Sequence, residues 1–213
     1  MEDIALFFEM INKLDEPIKL DEPIKTDISE MVNSDFIVTI NKNANFSNRV
    51  NEFLNKIDKI ISTSFGSAIL YIVGELSDNI EQHSEYSNAY LFLKQNLKEE
   101  IVKILIYDDG LTIPLIFDKN SINFSEDNEA IKMALMGTTT KKEDISRGFG
   151  LSSTKKIVNA LKRKIQIISR RGFLEVENSR VKKKDLDKEI RGTLIFIKLK
   201  TPEKDLNIYP YLE

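Results

Sequence analysis

Three polar residues in one stretch of this chain have the types and the spacing to act together. Glu75, Asn79 and His83 lie four residues apart, which places them on one stripe of a predicted helix. The apolar positions beside that stripe recur with helical periodicity at Ile69, Val73, Leu76 and Ile80. An Asn oxygen is a ligand that Mg²⁺ accepts beside phosphates and water, and a Glu can take a proton from an attacking water or hydroxyl. Taken alone, the segment also fits an ordinary solvated amphipathic helix.

A carboxylate ends the strand that the sequence predicts at residues 101–108. Because side chains alternate along a strand, Asp108 continues the buried row of this strand. The row contains Val102, Ile104 and Ile106. A buried carboxylate requires a donor, and the exocyclic amine of adenine is one. We expect Asp109 to point into solvent, and Gly110 to let the chain turn and a flat ligand come close. A plain Asp-Asp-Gly turn is the alternative.

Glycines at the start of a later predicted helix suit a phosphate. Gly148 and Gly150 flank Phe149, and an apolar helical pattern begins at Leu151. The free N–H groups and the dipole of a helix start attract anions. Lys141 lies a few residues earlier and could reach a terminal phosphate. The chain contains no Gly-x-x-x-x-Gly-Lys-Ser/Thr stretch, which excludes a P-loop.

A hydroxyl is predicted on the buried face of the last strand. Thr193 follows Gly192 and is in phase with Ile195 and Ile197. A buried hydroxyl needs a partner, and Asp108 or a ligand-bound water could provide it.

In this order the four pieces resemble the ATP-binding domain of the GHKL superfamily, which contains DNA gyrase, the large heat-shock chaperones, sensor histidine kinases and mismatch-repair ATPases. Glu75 and Asn79 match its Glu-x-x-x-Asn motif, and Asp108 and Gly110 match its Asp-x-Gly motif, although Thr112 replaces the second glycine of that motif. The resemblance covers roughly residues 46–200. The size of the chain and its first motif are most similar to the anti-sigma-factor serine kinases.

The resemblance implies ATP and Mg²⁺ as cofactors, with Asn79 as the metal ligand, Asp108 as the adenine-binding residue and Glu75 as the general base. The other residues implied in nucleotide binding are Gly110, Lys141, Gly148, Phe149, Gly150, Leu151 and Thr193. It also implies a two-layer α/β sandwich of the Bergerat type, with a mixed, mostly antiparallel sheet and helices on one face. The long connection from about Pro114 to Arg147 is then expected to be a mobile lid over the phosphates.

Three uses of ATP remain open at this stage. A self-contained sensor histidine kinase is excluded, because the only histidine, His83, lies inside the first motif. Phosphorylation of a protein Ser or Thr is slightly favoured over an ATPase switch whose lid state gates partner binding. A nucleotide-gated module without catalysis is the third interpretation. The expected partner is a regulatory protein, STAS-like or a transcription regulator, and a homodimer is possible.

The chain divides by composition into residues 1–45 and 46–213. The first part carries 10 acidic and 4 basic residues, a predicted helix and a Leu-Asp-Glu-Pro-Ile-Lys repeat at residues 14–25. Residues 141–192 carry 16 basic and 7 acidic residues, which favours phosphate attraction over a nucleic-acid interface. The chain has no Cys and no long apolar run, and its acidic start differs from a signal peptide. A cytoplasmic location is therefore expected.

Overall fold

A twisted antiparallel sheet forms one layer of the molecule. The computed structural model describes residues 36–61, 64–138, 150–161, 163–202 and 206–212. The five strands are β1 (Phe36–Asn41), β2 (Asn88–Asn96), β3 (Ile101–Asp108), β4 (Lys164–Glu177) and β5 (Arg180–Lys200). They lie in the order β1-β2-β3-β5-β4, and every neighbouring pair is antiparallel. The predicted two-layer α/β sandwich is confirmed, but the sheet is antiparallel throughout rather than mixed.

The second layer consists of helices on one face of the sheet. These are α1 (Phe46–Ile60), α2 (Ser64–Asn79), α3 (Ile113–Lys119), α4 (Asp127–Leu135) and α5 (Gly150–Ala160). A π-helical turn, Ile80–Ser84, continues α2, and a short 3₁₀ turn, Tyr209–Tyr211, lies near the end of the chain. None of the described helices has both the length and the apolar character that crossing a membrane requires.

Local sequence explains where the helices begin. The side chain of Asn45 accepts a hydrogen bond from the Asn48 N–H at 2.9 Å and caps α1. Thr112 caps α3 in the same way, accepting from the Leu115 N–H at 3.3 Å, and Pro114 follows in the first turn. The apolar periodicity of α1 buries Phe53 and Ile57 against the sheet.

Alternation along the strands gives the sheet two apolar faces. The helix side packs strand residues such as Leu91, Ile104 and Ile106 against all five described helices. The opposite side, which we call the second face, is formed by Tyr90, Phe92, Leu105, Tyr107, Ile168, Leu194 and Phe196. Its described members all come from strands, so the sheet is apolar on both sides.

Strand β1 modifies the predicted domain division. It pairs with β2 from Phe36↔Leu93 to Asn41↔Asn88, so it belongs to the sheet, although the sequence assigned residues 1–45 to an extension. The sheet therefore includes residues 36–41. The first predicted helix and the repeat at residues 14–25 lie outside the described residues, and the extension stays a prediction.

Strand β4 has a sharp bend near its middle. In β4, Gln166 donates a hydrogen bond to Glu175 at 2.6 Å. In a straight strand these residues would lie about 30 Å apart. The bend falls at the irregular register around Arg170, whose φ is +55°. The basic run at residues 182–184 lies inside β5.

Much of the predicted lid is part of the core. Its first part contains α3 and α4, whose Phe117, Ile131 and Leu135 are at most 3% exposed. The prediction of a mobile lid from about Pro114 is therefore wrong for this part. Its later part, residues 139–149, lies outside the described residues.

Candidate functional site

An open cleft lies between the end of α2, the C-terminal end of β3 and the part of β5 that pairs with it, and α3, α4 and α5 contribute to its walls. It encloses about 850 Å³ of empty space, counting the open space at its mouth. Its apolar lining is Ile80, Ile106, Leu111, Ile113, Ile116, Phe117, Ala134, Leu151 and Ile195, and its polar lining is Asn79, His83, Ser84, Asp108, Thr138 and Thr193. Four of the predicted nucleotide-binding residues therefore share one cleft: Asn79, Asp108, Leu151 and Thr193.

Asp108 is the buried acid of this cleft. It is the last residue of β3 and is 4% exposed, as strand alternation predicted. Its carboxylate accepts the Gly110 N–H at 3.0 Å. Burial raises the pKa of Asp108 to about 7, although the Gly110 N–H and the nearby Ser84 hydroxyl favour the charged form. A carboxylate this buried, in an apolar cleft, is poised to accept a hydrogen bond from a flat polar ligand.

Gly110 contacts the protein and not the open cleft. A Cβ placed on Gly110 would lie 2.0 Å from the backbone oxygen of Ser84. The neighbouring Leu111 N–H also donates to that oxygen. The expectation that Gly110 lets a ligand come close is therefore corrected: the glycine lets the turn after β3 pack on the end of the π-helical turn.

The π-helical turn itself was not predicted. Ser84, 4% exposed, donates to the Ile80 oxygen at 3.0 Å and closes this wider turn. π-Turns inside α-helices are frequent at functional sites. The turn brings His83 and Ser84 to the cleft beside Asn79. No local sequence signal marks such a turn, so Ser84 was missed.

Glu75, Asn79 and Gly150 meet where α5 begins. A Cβ on Gly150 would lie 2.6 Å from Glu75 Oε2 and 3.4 Å from Asn79 Nδ2. Because Gly150 has no Cβ, the start of α5 approaches these two side chains closely without displacing Glu75. Glu75 is half-buried and lies outside the cleft lining itself. Burial raises the pKa of Tyr71, one turn earlier on α2, and the Glu75 carboxylate raises it further.

Thr193 has a different partner from the one expected. Its Cα pairs with that of Asp108 across β3 and β5, but its hydroxyl lies 2.9 Å from Ser169 Oγ. Ser169 also accepts the Ile113 N–H at 2.8 Å. This network links β4 and β5 to the start of α3, and it depends on contacts that sequence spacing does not reveal.

Asp109 has a structural role and is not the solvated residue that we expected. Its carboxylate accepts the N–H groups of Ser87 at 2.7 Å and Asn88 at 2.8 Å. Burial alone would raise the pKa of Asp109, but the hydrogen bonds from Asn88 and Ser87 hold it below its usual range. Asp109 thus fastens the start of β2 to the end of β3, and Asp108 is left facing the cleft.

Three predicted residues, Lys141, Gly148 and Phe149, lie outside the described residues, so their place at the site stays a prediction. By contrast, the apolar residues of α3 line the cleft but were not predicted to belong to the site. Ile113, Ile116 and Phe117 line the cleft, and their spacing of three and four is a helical signal. We had assigned that stretch to the lid.

Comparisons with known proteins assign no family to this chain. No protein-family model and no curated protein matches this chain. Among solved structures, the chain is similar to the histidine kinase domain from the blue-light activated histidine kinase of Erythrobacter litoralis EL346. The identity is 12% and the TM-score 0.37, over 92% of this chain and 70% of that chain. A similarity at this level carries no argument about fold or function.

Proposed function

We propose that this chain binds ATP with Mg²⁺ in the cleft and uses it to phosphorylate a Ser or Thr of a regulatory protein. The observation that carries the proposal is Asp108, a buried carboxylate facing a largely apolar cleft. An adenine base matches both properties, since its faces are apolar and its exocyclic amine donates one hydrogen bond. Guanine presents an oxygen at the corresponding position, which a carboxylate repels.

The fit of a nucleotide is supported at both ends of the cleft. At the end of the cleft near Asp108, which would hold the adenine and which we call the base end, Ile106 and Ile195 provide apolar surface. At the other end, Gly150 opens α5 next to Asn79, and the N–H groups of a helix start favour phosphate. Lys141, Gly148 and Phe149 would add to this end if they lie where the resemblance implies.

A magnesium ion would depend on Asn79 and on the nucleotide. Within the described ranges, no three His, Asp or Glu side chains form a metal site. Mg²⁺ is commonly held by one or two protein oxygens together with phosphates and water, and the Asn79 side chain at the rim of the cleft offers one such oxygen. The ion would neutralise the phosphates while they are bound.

The position of Glu75 favours a catalytic protein over one that only binds the nucleotide. Its carboxylate reaches the Gly150 end of the cleft without lining the base pocket. In that position Glu75 could accept the proton of a hydroxyl that approaches from solvent. A protein hydroxyl and a water are both able to donate that proton. ATP hydrolysis is therefore the competing use, and the fate of the phosphate distinguishes the two.

The nucleotide assignment is tested by calorimetric titration of the full chain with ATP and with GTP in the presence of Mg²⁺. We expect ATP to bind at least tenfold more tightly than GTP. We also expect Asp108→Asn to weaken ATP binding by about 1–3 kcal/mol, the cost of a buried unpaired polar group. Asp58→Asn, an exposed position on α1, is the matched control. Equal binding of both nucleotides, or unchanged binding by Asp108→Asn, contradicts the assignment.

The transfer step is tested with γ-labelled ATP and partners co-purified from the native cell. Label on a protein Ser or Thr that disappears with Glu75→Gln supports the kinase. Label found only as free phosphate, with every co-purified partner present, favours the ATPase.

A further inference from the structure

The second face of the sheet is buried, although no described helix lies on it. Phe92 and Leu105, at its centre, are both 0% exposed. Tyr90 and Tyr107 stack beside them with ring centroids 6.0 Å apart. Neighbouring strands cover the edges of a strand but not its face. The side chains at the centre of the second face are therefore shielded from solvent by residues that lie across the sheet. Leu186 and Ile190, from the irregular part of β5, pack on this cluster too.

One end of the second face carries a row of lysines. Lys94 pairs in register with Lys103, Lys103 with Lys198, and Lys198 with Lys164. We call these four residues the lysine row. Like charges directly opposite each other destabilise a sheet, and Lys103 is only 6% exposed. An ammonium this buried requires acidic groups close to it. Glu175, 3.9 Å from Lys164, supplies one at the β4 end of the row.

The chain before β1 has the complementary charge and arrives at this place. Residues 1–35 contain 10 acidic and 3 basic residues. Strand β1 begins at Phe36, which pairs with Leu93, the neighbour of Lys94. The acidic segment therefore joins the sheet beside the lysine row.

The same segment has an apolar stripe of suitable size. Its helical periodicity is Ile4, Phe7, Phe8, Ile11 and Leu14. A helix over these residues would be about 16 Å long, and five strands span about 19 Å from the first to the last. Such a helix could cover the aromatic centre of the second face, and residues 15–35 are long enough to return to β1.

We propose that residues 1–35 of this chain dock across the second face, with the apolar stripe on the aromatic cluster and the acidic residues over the lysine row. The occupant is the chain's own segment and not a second copy, because a tether at β1 gives it a high effective concentration. The sheet is then covered on both sides, and the extension and the sheet form one structural unit.

Photo-crosslinking in the full chain tests this contact directly. Replacing Tyr90 with p-azidophenylalanine keeps the ring and places the reactive group on the second face, where Tyr90 is 8% exposed. The matched control carries the same group at Tyr209, which is 77% exposed. Irradiation should join position 90 to peptides within residues 1–30, and position 209 should not give these products.

Mixing ¹⁵N-labelled and unlabelled protein before irradiation identifies the occupant. If every cross-link joins two peptides with the same isotopic label, the segment docked on the face belongs to the same chain. Mixed-isotope products between position 90 and residues 1–30 would show a second copy on the face and overturn the proposal. Absence of any product with residues 1–30 overturns it as well.

Charge neutralisation tests the role of the lysine row without altering the sheet. The variant Asp15→Asn, Glu16→Gln, Asp21→Asn, Glu22→Gln removes acids of the segment only. Chymotrypsin should then cut at Phe7 or Phe8 at least tenfold faster than in the unaltered chain. The control, Asp187→Asn with Glu189→Gln, neutralises exposed acids on β5 and should leave that rate unchanged. Equal cleavage rates in the test variant and the unaltered chain contradict an electrostatic contact.

Discussion

The two ends of the cleft are built by different means. At the base end, backbone packs on backbone: Gly110 lies against Ser84, and Gly192 lies against Asp108. At the Gly150 end, the contacts are made by side chains, since Glu75 and Asn79 reach the start of α5. The base end therefore belongs to the fold itself, and a change there should cost stability. The Gly150 end should tolerate changes structurally and lose chemistry instead.

The largest effect is expected at Gly192. Its φ is +78°, and an added Cβ would lie 1.8 Å from the Asp108 oxygen. Gly192→Ala should lower the free energy of unfolding by at least ~3 kcal/mol, because it combines an unfavourable backbone conformation with a clash against backbone. Urea denaturation measures this. Gly74→Ala on α2, where no atom lies within 4 Å of the added Cβ, is the control and should not destabilise. Similar urea midpoints for the two variants would show that the base end is not rigid.

The next effect is chemical and is expected at Glu75. Glu75→Gln keeps the shape of the side chain but removes the base, so turnover of ATP should fall about a hundredfold. The dissociation constant for ATP should change less than about threefold, since Glu75 lies outside the cleft lining. Asp78→Asn, exposed on the same helix, is the control in both assays. If Glu75→Gln turns over ATP at the full rate, Glu75 is not the base.

At the base end, Asp108 makes the stability of the protein depend on pH. Its pKa is about 7 in the folded protein and 3.8 in a free chain. Between these values the folded state binds more protons than the unfolded state, so the stability contributed by Asp108 decreases as pH rises through this window. Asp108→Asn removes that penalty. The variant should therefore gain stability relative to the unaltered chain by up to about 1.4 kcal/mol for each pH unit from 4 to 7.

Thermal unfolding at pH 4.5 and pH 8, without nucleotide, measures this difference. Asp109→Asn should not gain stability with pH, because the hydrogen bonds that it would lose stabilise the charged form. A constant offset between Asp108→Asn and the unaltered chain at both pH values would exclude the raised pKa.

The smallest effect is expected at Gly150, and it sharpens the contrast with Gly192. The atom nearest to an added Cβ is Glu75 Oε2, the end of a flexible side chain. Gly150→Ala should therefore shift Glu75 and reduce turnover by about tenfold, with stability changed by less than ~1 kcal/mol. Turnover and the urea midpoint should be measured on the same preparation. A loss of stability as large as that of Gly192→Ala would show that both ends are equally rigid.

Sequence periodicity predicted the parts of the fold that depend on local pattern. The bounds of β3 and the burial of Asp108 followed from alternation, and α2 from apolar residues three and four apart. The structure also brings Asn79 and Asp108 to one cleft, as the order of the motifs suggested.

The features that were missed depend on contacts between distant residues. The bend of β4 is fixed by Gln166 with Glu175 and by Arg170 with Asp127, which holds the bend to α4. Burial would raise the pKa of Asp127, but the Arg170 guanidinium holds it below its usual range. The π-helical turn and the Gly110 contact likewise depend on how closely two backbones approach, and a pattern of residue types does not encode that distance.

The order of the strands has a consequence for how the chain folds. Strands β1, β2 and β3 are adjacent in the sheet, and β2 and β3 are joined by a short connection. By contrast, β3 pairs with β5 across a long stretch of chain, and Tyr107 and Arg191, which bridge this seam, are 84 residues apart. Closing so long a loop is slow in comparison with forming hairpins. Asp108 and Thr193 face each other across the same seam, so the cleft is completed only when this long-range pairing forms, and ligand binding will report that step of folding.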